Sequence, residues 1–318
     1  MTRKSQTMNQ TKKYLGIDIS KESLEIAALE PAKEWSVGNG ASGYARLIGA
    51  LAHWPAVVVV CEASGGYERP LIAALQKAGV AVALVNARQV RDYARASGLL
   101  AKTDRIDARV IARYGAHFEP EPLAYQSAGQ NRLRELVQRH RQLTLARVGE
   151  ANRAAHLECA DLRRLSAAYL RLLQRQLATI DALMEKELLL QHSAAVTALT
   201  AVCGIGSQSA ALLLAELPEL GKVSKGRIAA LAGVAPYNHD SGPWRGQRHI
   251  RGGRGQVRRG LWMATLVAVR HHPDLRSFYQ RLRTNGKPPK VALIAAMRKL
   301  LIILNAILRP LYLSPTYV

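Results

Sequence analysis

From residue 123 to residue 217 the chain contains no proline, although Pro120 and Pro122 stand just before this stretch and Pro218 just after it. Proline removes a backbone donor and clashes with the preceding helical turn, so its absence over such a length permits long unbroken helices. The residues agree. LRRLSAAYLRLLQRQLATIDALMEKELLL carries leucines near heptad spacing and few helix breakers. This predicts a long helix or a helical hairpin, which serves equally to pair with another protomer or to connect parts of one chain.

Before this stretch, residues 14–118 read as an α/β unit. YLGIDIS and LEIAALE are apolar runs joined by the short SKES turn, which suggests a hairpin. SGYARLIGALAHW has helical spacing, and AVVVVCEAS is a β-branched run suited to a strand buried on both faces. ERPLIAALQKAG reads as a helix closed by Gly79, VAVALVNA as a further strand and TDRIDARVIARYGAHF as a helix. Strands first antiparallel, then alternating with helices, describe a ribonuclease-H-like sheet. After the helical stretch, LTAVCGIGSQSAALLLAEL places Gly204 and Gly206 between two apolar helices, as a helix-hairpin-helix does. Such a turn offers backbone N–H groups to a phosphate; a glycine-rich link between two core helices looks the same. The expected fold class is α/β plus α. Its parts are a basic tail at 1–13, the α/β domain at 14–122, a helical coiled-coil connector at 123–194 and a mainly helical C-terminal domain at 195–318.

Charge narrows the partners. Lysine and arginine total 45 against 23 acidic residues, a formal net charge of +22. Self-repulsion of that size is relieved by a polyanion, so DNA or RNA is the expected partner. From 222 to 290 there are 15 basic residues and only two acidic ones, Asp240 and Asp274. That window is the candidate polyanion-facing surface. No membrane partner is expected, because VALIAAMRKLLIILNAIL at 291–308 carries Arg298 and Lys299 in its middle. The polar, basic N-terminus is no signal peptide. Cys61, Cys159 and Cys203 lack metal-ligand spacing and read as reduced thiols of a cytoplasmic protein.

Four carboxylates stand out. Asp18 lies in the first strand, Glu62 ends the VVVVC run, and Asp104 and Asp107 share one helix face. An aspartate near a turn often only closes it, and D-x-x-D on a helix is often a solvated face. Asp18 and Glu62, however, are embedded in apolar strands, where an unpaired charge is expensive. In a ribonuclease-H-like sheet the four converge at one edge, and a hard cation such as Mg²⁺ relieves their repulsion. Two-metal phosphoryl chemistry follows. Lys102 and Arg105 flank the helical pair and could meet a phosphate. Glu22, Glu25 and Glu68 read as surface.

The segment HDSGPWRGQRHIRGGRG at 239–255 sets Ser241 beside Asp240 and a series of arginines: Arg245, Arg248, Arg251, Arg254 and, further on, Arg258 and Arg259. Arginine forks grip phosphate oxygens bidentately. Trp244 and Tyr237 could stack on bases, whereas Trp262 suits a core.

G-I-D, V-V-V-C-E-A-S-G and K-T-D-R-I-D-A-R resemble the RuvC-like DEDD domain of a family of bacterial insertion-sequence transposases. LTAVCGIGSQSAALLLAEL and LAGVAPYNHDSGPWRGQRHIRGGRGQVRRGLWMAT resemble that family's second block, found in the DEDD/serine, bridge-RNA-guided recombinases. The resemblance covers nearly the whole chain in order. It implies that Asp18, Glu62, Asp104 and Asp107 bind Mg²⁺ and that Ser241 is a nucleophile forming a covalent phosphoserine link. It further implies a homo-oligomer, dimer to tetramer, joined through the helical middle, with the acids of one protomer meeting the serine of another. A structured guide RNA would pair with donor and target DNA. Two other readings fit the residues alone: a metal-dependent, structure-specific nuclease of the resolvase kind, and a non-enzymatic nucleic-acid-binding scaffold.

Overall fold

The computed structural model describes residues 13–54, 56–99, 104–238, 240–242, 244–246 and 248–313, without the side chains of Asp104, Arg105, Arg245 and Leu313. Nearly all of the expected basic tail, together with Lys102 and His239, lies outside the described residues. The chain divides into two compact units, 1–126 and 127–318.

The first unit runs β1 (Lys13–Ile19), β2 (Ser23–Leu29), β3 (Ala32–Gly38), α1 (Ala41–Leu51), β4 (Val57–Glu62), α2 (Glu68–Lys77), β5 (Ala81–Val85), α3 (Ala87–Ala96) and α4 (Asp104–Phe118). Its sheet has the order β3-β2-β1-β4-β5. The hairpin pairs β1–β2 and β2–β3 are antiparallel, and β1–β4 and β4–β5 are parallel. This arrangement is consistent with the ribonuclease-H-like sheet expected. Two elements, β3 and α3, go beyond the sequence reading. Strand β1 is buried on both faces, as its near-continuous apolar run requires. Leu15 and Ile17 point into a core shared with Leu47, Val59 and Leu71. Tyr14, on the other face, joins Val58, Val60, Ile111 and Tyr114 under α4.

What seats α4 is the lack of side chains at two points. A Cβ at Gly16 of β1 would overlap the Ala108 carbonyl and the Ala112 amide of α4, and one at Gly115 would fall 2.7 Å from the Val60 methyl. Backbone therefore lies directly on sheet. Arg109 of α4 is also tied to Glu34 of β3, its Nε donating to Oε1 at 2.7 Å.

The second unit runs α5 (Ala128–Ala154), α6 (Ala160–Thr200), α7 (Ser207–Glu216), α8 (Lys225–Leu231), β6 (Pro236–Tyr237), β7 (Asp240–Ser241), β8 (Trp244–Arg245), β9 (His249–Ile250), α9 (Gly255–His271), α10 (Pro273–Thr284) and α11 (Pro289–Leu313). The proline-free stretch is a hairpin. The contacts Gln130–His192, His140–Asp181 and Glu150–Ser166 run in opposite senses along the two helices, which makes α5 and α6 antiparallel. At its base Leu133, Val137, Met184 and Leu188 enter one core with α7, α8, α9 and α11. Toward its tip Leu143, Leu173 and Leu177 form a small separate apolar cluster. The expected boundary at 194–195 falls inside α6, and the helices on either side of it share that core.

His192 alone interrupts α6, with φ −140° and ψ 21°. Its Nε2 lies 2.9 Å from Gln130 Oε1, while the Gln130 amide donates to the Leu214 carbonyl at 2.7 Å. Burial, and then Lys222, lowers the pKa of His192. The apolar run at 291–308 lies within α11, the one helix among the described residues long and apolar enough to cross a membrane. Its Met297, Leu300, Leu301, Leu304 and Leu308 are core residues of this unit.

Candidate active site

Asp18 is the last but one residue of β1, and Glu62 is the last residue of β4. These strands are parallel neighbours with Ile17 opposite Cys61, so the two carboxylates sit side by side at the carboxyl ends of the strands. Ligand sites of open α/β sheets form at such ends. Side chains alternate along a strand, and Val60 and Tyr14 face α4; Glu62 and Asp18, each a whole number of pleats further on, face it too. Both are half-buried.

The other two acids singled out in the sequence, Asp104 and Asp107, lie in the first turn of α4. Asp107 is half-buried and precedes Ala108, whose carbonyl rests on Gly16 of β1. Asp104 opens the helix. Carboxylates there are favoured by the helix N-terminus. Among the described residues no group of three or more His, Cys, Asp or Glu side chains is gathered as a metal site; the Asp104 side chain is outside that description.

The sequence reading misplaces two carboxylates nearby. Glu68, expected at the surface, is 6% exposed. Its Oε2 accepts hydrogen bonds from the Ser64 N–H (3.1 Å), the Ser64 hydroxyl (2.9 Å) and the Gly66 N–H (2.8 Å). Burial by itself raises its pKa, but the donors on its own backbone, Gly66 and Ser64 outweigh that, and the net shift is downward. The spacing S-G-G-x-E was the available signal: a carboxylate two residues past a glycine pair can reach back to cap the turn. Glu25, also expected at the surface, is half-buried and stands directly across from Asp18 on β2. Cys61, enclosed between the two strands, has its thiol pKa pushed up to about 12 by burial and by the charges of Glu68 and Glu62. It is inert as a nucleophile.

Ser241 lies in the second unit on a hairpin. Pro236 and Tyr237 pair with Ile250 and His249 at its base, and Asp240 and Ser241 with Arg245 and Trp244 at its end. Gly242, with φ +55°, makes the turn. That leaves Ser241 exposed at the tip. Asp240 is engaged locally, its Oδ1 accepting from the Gly246 N–H at 3.2 Å. Trp244 and Tyr237 are exposed, whereas Trp262 packs against the core.

The arginines separate into two groups. Arg248, Arg251 and Arg259 are exposed. Arg254 forms a bidentate pair with Glu219, both contacts 2.6 Å, and donates to the Glu216 carbonyl at 2.8 Å. Arg258 donates to the carbonyls of Gly233 (3.0 Å) and Gly252 (3.2 Å). The glycines of the G-I-G turn differ likewise. Gly204, at φ +93°, is pressed against the backbone of α9, where a Cβ would lie 2.5 Å from the Ala264 oxygen. Gly206 begins α7 in open space with no side-chain cap on the helix.

Comparison with known proteins gives two family models that match. One, a transposase of the DEDD type bearing the IS110 name, matches residues 15–160. The other, described as the transposase IS116/IS110/IS902 family, matches residues 196–280. The first match spans all four acids and the second spans Ser241 and its arginines. The chain is similar over 94% of its length to the pilin gene-inverting proteins of Moraxella bovis and Moraxella lacunata, with 28% identity to each and 96% of each relative covered. A shorter stretch of 88 residues is 39% identical to an uncharacterized 42 kDa protein of the insertion element IS900 from Mycobacterium paratuberculosis, covering 27% of this chain and 22% of that protein. A DEDD-type domain implies a divalent-metal-dependent site. The residues fit one: carboxylate oxygens are hard donors, and two adjacent strand ends beneath an acidic helix turn offer them from three elements.

Proposed function

The chain is a DNA transposase/recombinase carrying both IS110-type domains, and from that premise we propose that Ser241 is its nucleophile and that Asp18, Glu62, Asp104 and Asp107 hold Mg²⁺. The observation that carries the reading is the placement of Asp18 and Glu62 side by side at two strand ends, on the face covered by α4. When bound, the metal supplies Lewis-acid polarisation of the scissile phosphate. The acids' work is to hold that charge without rearranging, which the close seating of α4 favours.

Ser241 Oγ then attacks phosphorus. A P–Oγ bond forms, the P–O bond to the departing deoxyribose oxygen breaks, and the proton lost from Oγ is balanced by one gained at that oxygen. A hydroxyl of a new partner strand reverses these changes and frees the serine. No phosphodiester is lost to water, as rejoining requires. Gene inversion, the activity named for the two Moraxella relatives, is an outcome of that kind.

Exposed Arg248, Arg251 and Arg259, with Arg245 and Lys102, are assigned to phosphates. Arg254 and Arg258, whose guanidinium groups are bonded within the fold, are assigned to shaping that surface. Gly206 offers the uncapped N–H groups of α7 to a phosphate, and Gly204 sets the turn's approach to α9. Donor and target DNA and a structured guide RNA are the polyanions proposed for the basic window, in the bacterial cytoplasm. If base pairing delivers sequence specificity, the protein needs backbone contacts more than base contacts. Oligomerisation is assigned to the tip of the α5–α6 hairpin. There Leu162, Leu165, Tyr169 and Leu172 repeat at heptad-like spacing on an exposed face.

The test is a suicide DNA substrate incubated with the purified chain, Mg²⁺ and co-purified RNA. The wild type is expected to give a protein–DNA adduct that maps to Ser241. Ser241→Ala is expected to give none and to lose strand exchange. An alanine variant that still recombines and still forms the adduct would sink the serine assignment. Cleavage without any adduct would favour a hydrolytic nuclease.

A further inference from the structure

We propose that Glu68 is a positioning residue for Glu62, fixing the metal-binding carboxylate through the loop that joins β4 to α2. The inference rests on the reading of Glu62 as a metal ligand.

Two glycines with positive φ follow Glu62 closely, Gly65 at +77° and Gly66 at +120°. A Cβ at either would meet nothing within 4 Å. Glycines in open space leave a loop the widest choice of conformations, so something else must hold this one. On the strand side, the Ala63 N–H donates to the Val85 carbonyl at 3.3 Å and extends the β4–β5 ladder by one bond. On the helix side, the Glu68 carboxylate gathers three donors from Ser64 and Gly66 on a single oxygen. Its own position is fixed in turn. Glu68 is the first residue of α2, and Leu71 and Leu75, one and two turns on, are fully buried in the sheet's core.

Successive N–H groups of such a turn form a concavity that binds anions. Here the anion is the protein's own. Filling the concavity from within has two effects. It keeps a DNA phosphate out of that concavity, and it ties the loop that follows Glu62 to the first turn of α2. Residues that orient a metal ligand typically govern affinity by about 10–100-fold, and Glu68 would do so through the Ser64–Gly66 loop.

Mn²⁺ binding to the full-length chain, read by loss of the free-ion electron paramagnetic resonance signal, tests the idea alongside Mg²⁺ titration of DNA cleavage. Glu68→Ala is expected to weaken Mn²⁺ binding by about 10–100-fold. The same variant should raise the Mg²⁺ concentration for half-maximal cleavage while leaving the rate at saturating metal within a few-fold of wild type. Glu68→Gln, which keeps an acceptor in place, should recover most of the loss, and Ser64→Ala, which removes one donor, should show a smaller one. If Glu68→Ala does not fold, Glu68→Gln and Ser64→Ala carry the test, and unchanged binding in both overturns the proposal. Unchanged binding in a folded Glu68→Ala overturns it as well. Glu62→Ala is the control: if it binds Mn²⁺ like wild type, the metal-site reading itself fails. If only Glu62→Ala loses binding, that reading stands and the role of Glu68 falls.

Discussion

Arg251 and Arg254 stand three residues apart in a glycine- and arginine-rich run, and nothing in that run distinguishes them. Their surroundings do: Arg251 is exposed, while Arg254 is clamped to Glu219. Arg251→Ala should leave the melting temperature unchanged, weaken DNA binding and lower the salt slope of that binding by about one ion. Arg254→Ala strands a half-buried carboxylate and should cost about 1–3 kcal/mol in denaturant unfolding. A pH dependence follows. Burial raises the Glu219 pKa, but the Arg254 hydrogen bonds and charge outweigh it, so the folded value lies below the unfolded one. The pair's contribution is thus present above the ordinary carboxylate range and is lost as pH falls through it. Acid unfolding of Glu219→Gln should be correspondingly less steep than that of wild type. The acids proposed to hold the metal stand out in the sequence for the converse reason. Asp18 and Glu62 interrupt apolar strands, and a charge in such a place announces itself. Glu68 is marked only by the weaker S-G-G-x-E spacing, because no apolar strand surrounds it in the sequence.

The same division holds for whole elements. Strands β1, β2, β4 and β5 and helices α1, α2 and α4 were readable because each buries a periodic apolar face. Strand β3, AKEWSVG, buries only Val37, so it carries no clear period; α3, ARQVRDYARA, does carry a helical one in Val90, Tyr93 and Ala94, and went unread. For β3, at the sheet's edge, pairing with β2 replaces the missing apolar face. The proline-free stretch was readable as helix but silent on its partner, which proved to be itself. Helix α4 yields the sharpest prediction at this scale. Gly16→Ala pushes a methyl into the Ala108 and Ala112 backbone and should displace the helix from β1. We expect a loss of about 1–3 kcal/mol, the usual range for overpacking, measured by chemical denaturation. Cleavage should fall much further than the remaining folded fraction, because Asp104 and Asp107 move with the helix.

At the scale of the molecule, charge and exposed leucine act on different partners. The net charge of +22 calls for polyanions; the hairpin tip, with Leu165 67% exposed, calls for apolar cover. Replacing Leu165 and Leu172 together with lysine should shift the protein to a smaller species in light scattering. The melting temperature should hardly change, since neither side chain belongs to a buried cluster. An unchanged mass would remove the tip from the assembly. Oligomer state could not be read from the sequence, because the leucines that close the hairpin on itself and those that face outward share one heptad-like pattern. The interruption of α6 at His192 has a mechanical consequence. The helix from Ala160 to His192 is a rod roughly 48 Å long at 1.5 Å per residue. If two copies join at the far ends, as proposed above, that length sets the span between them.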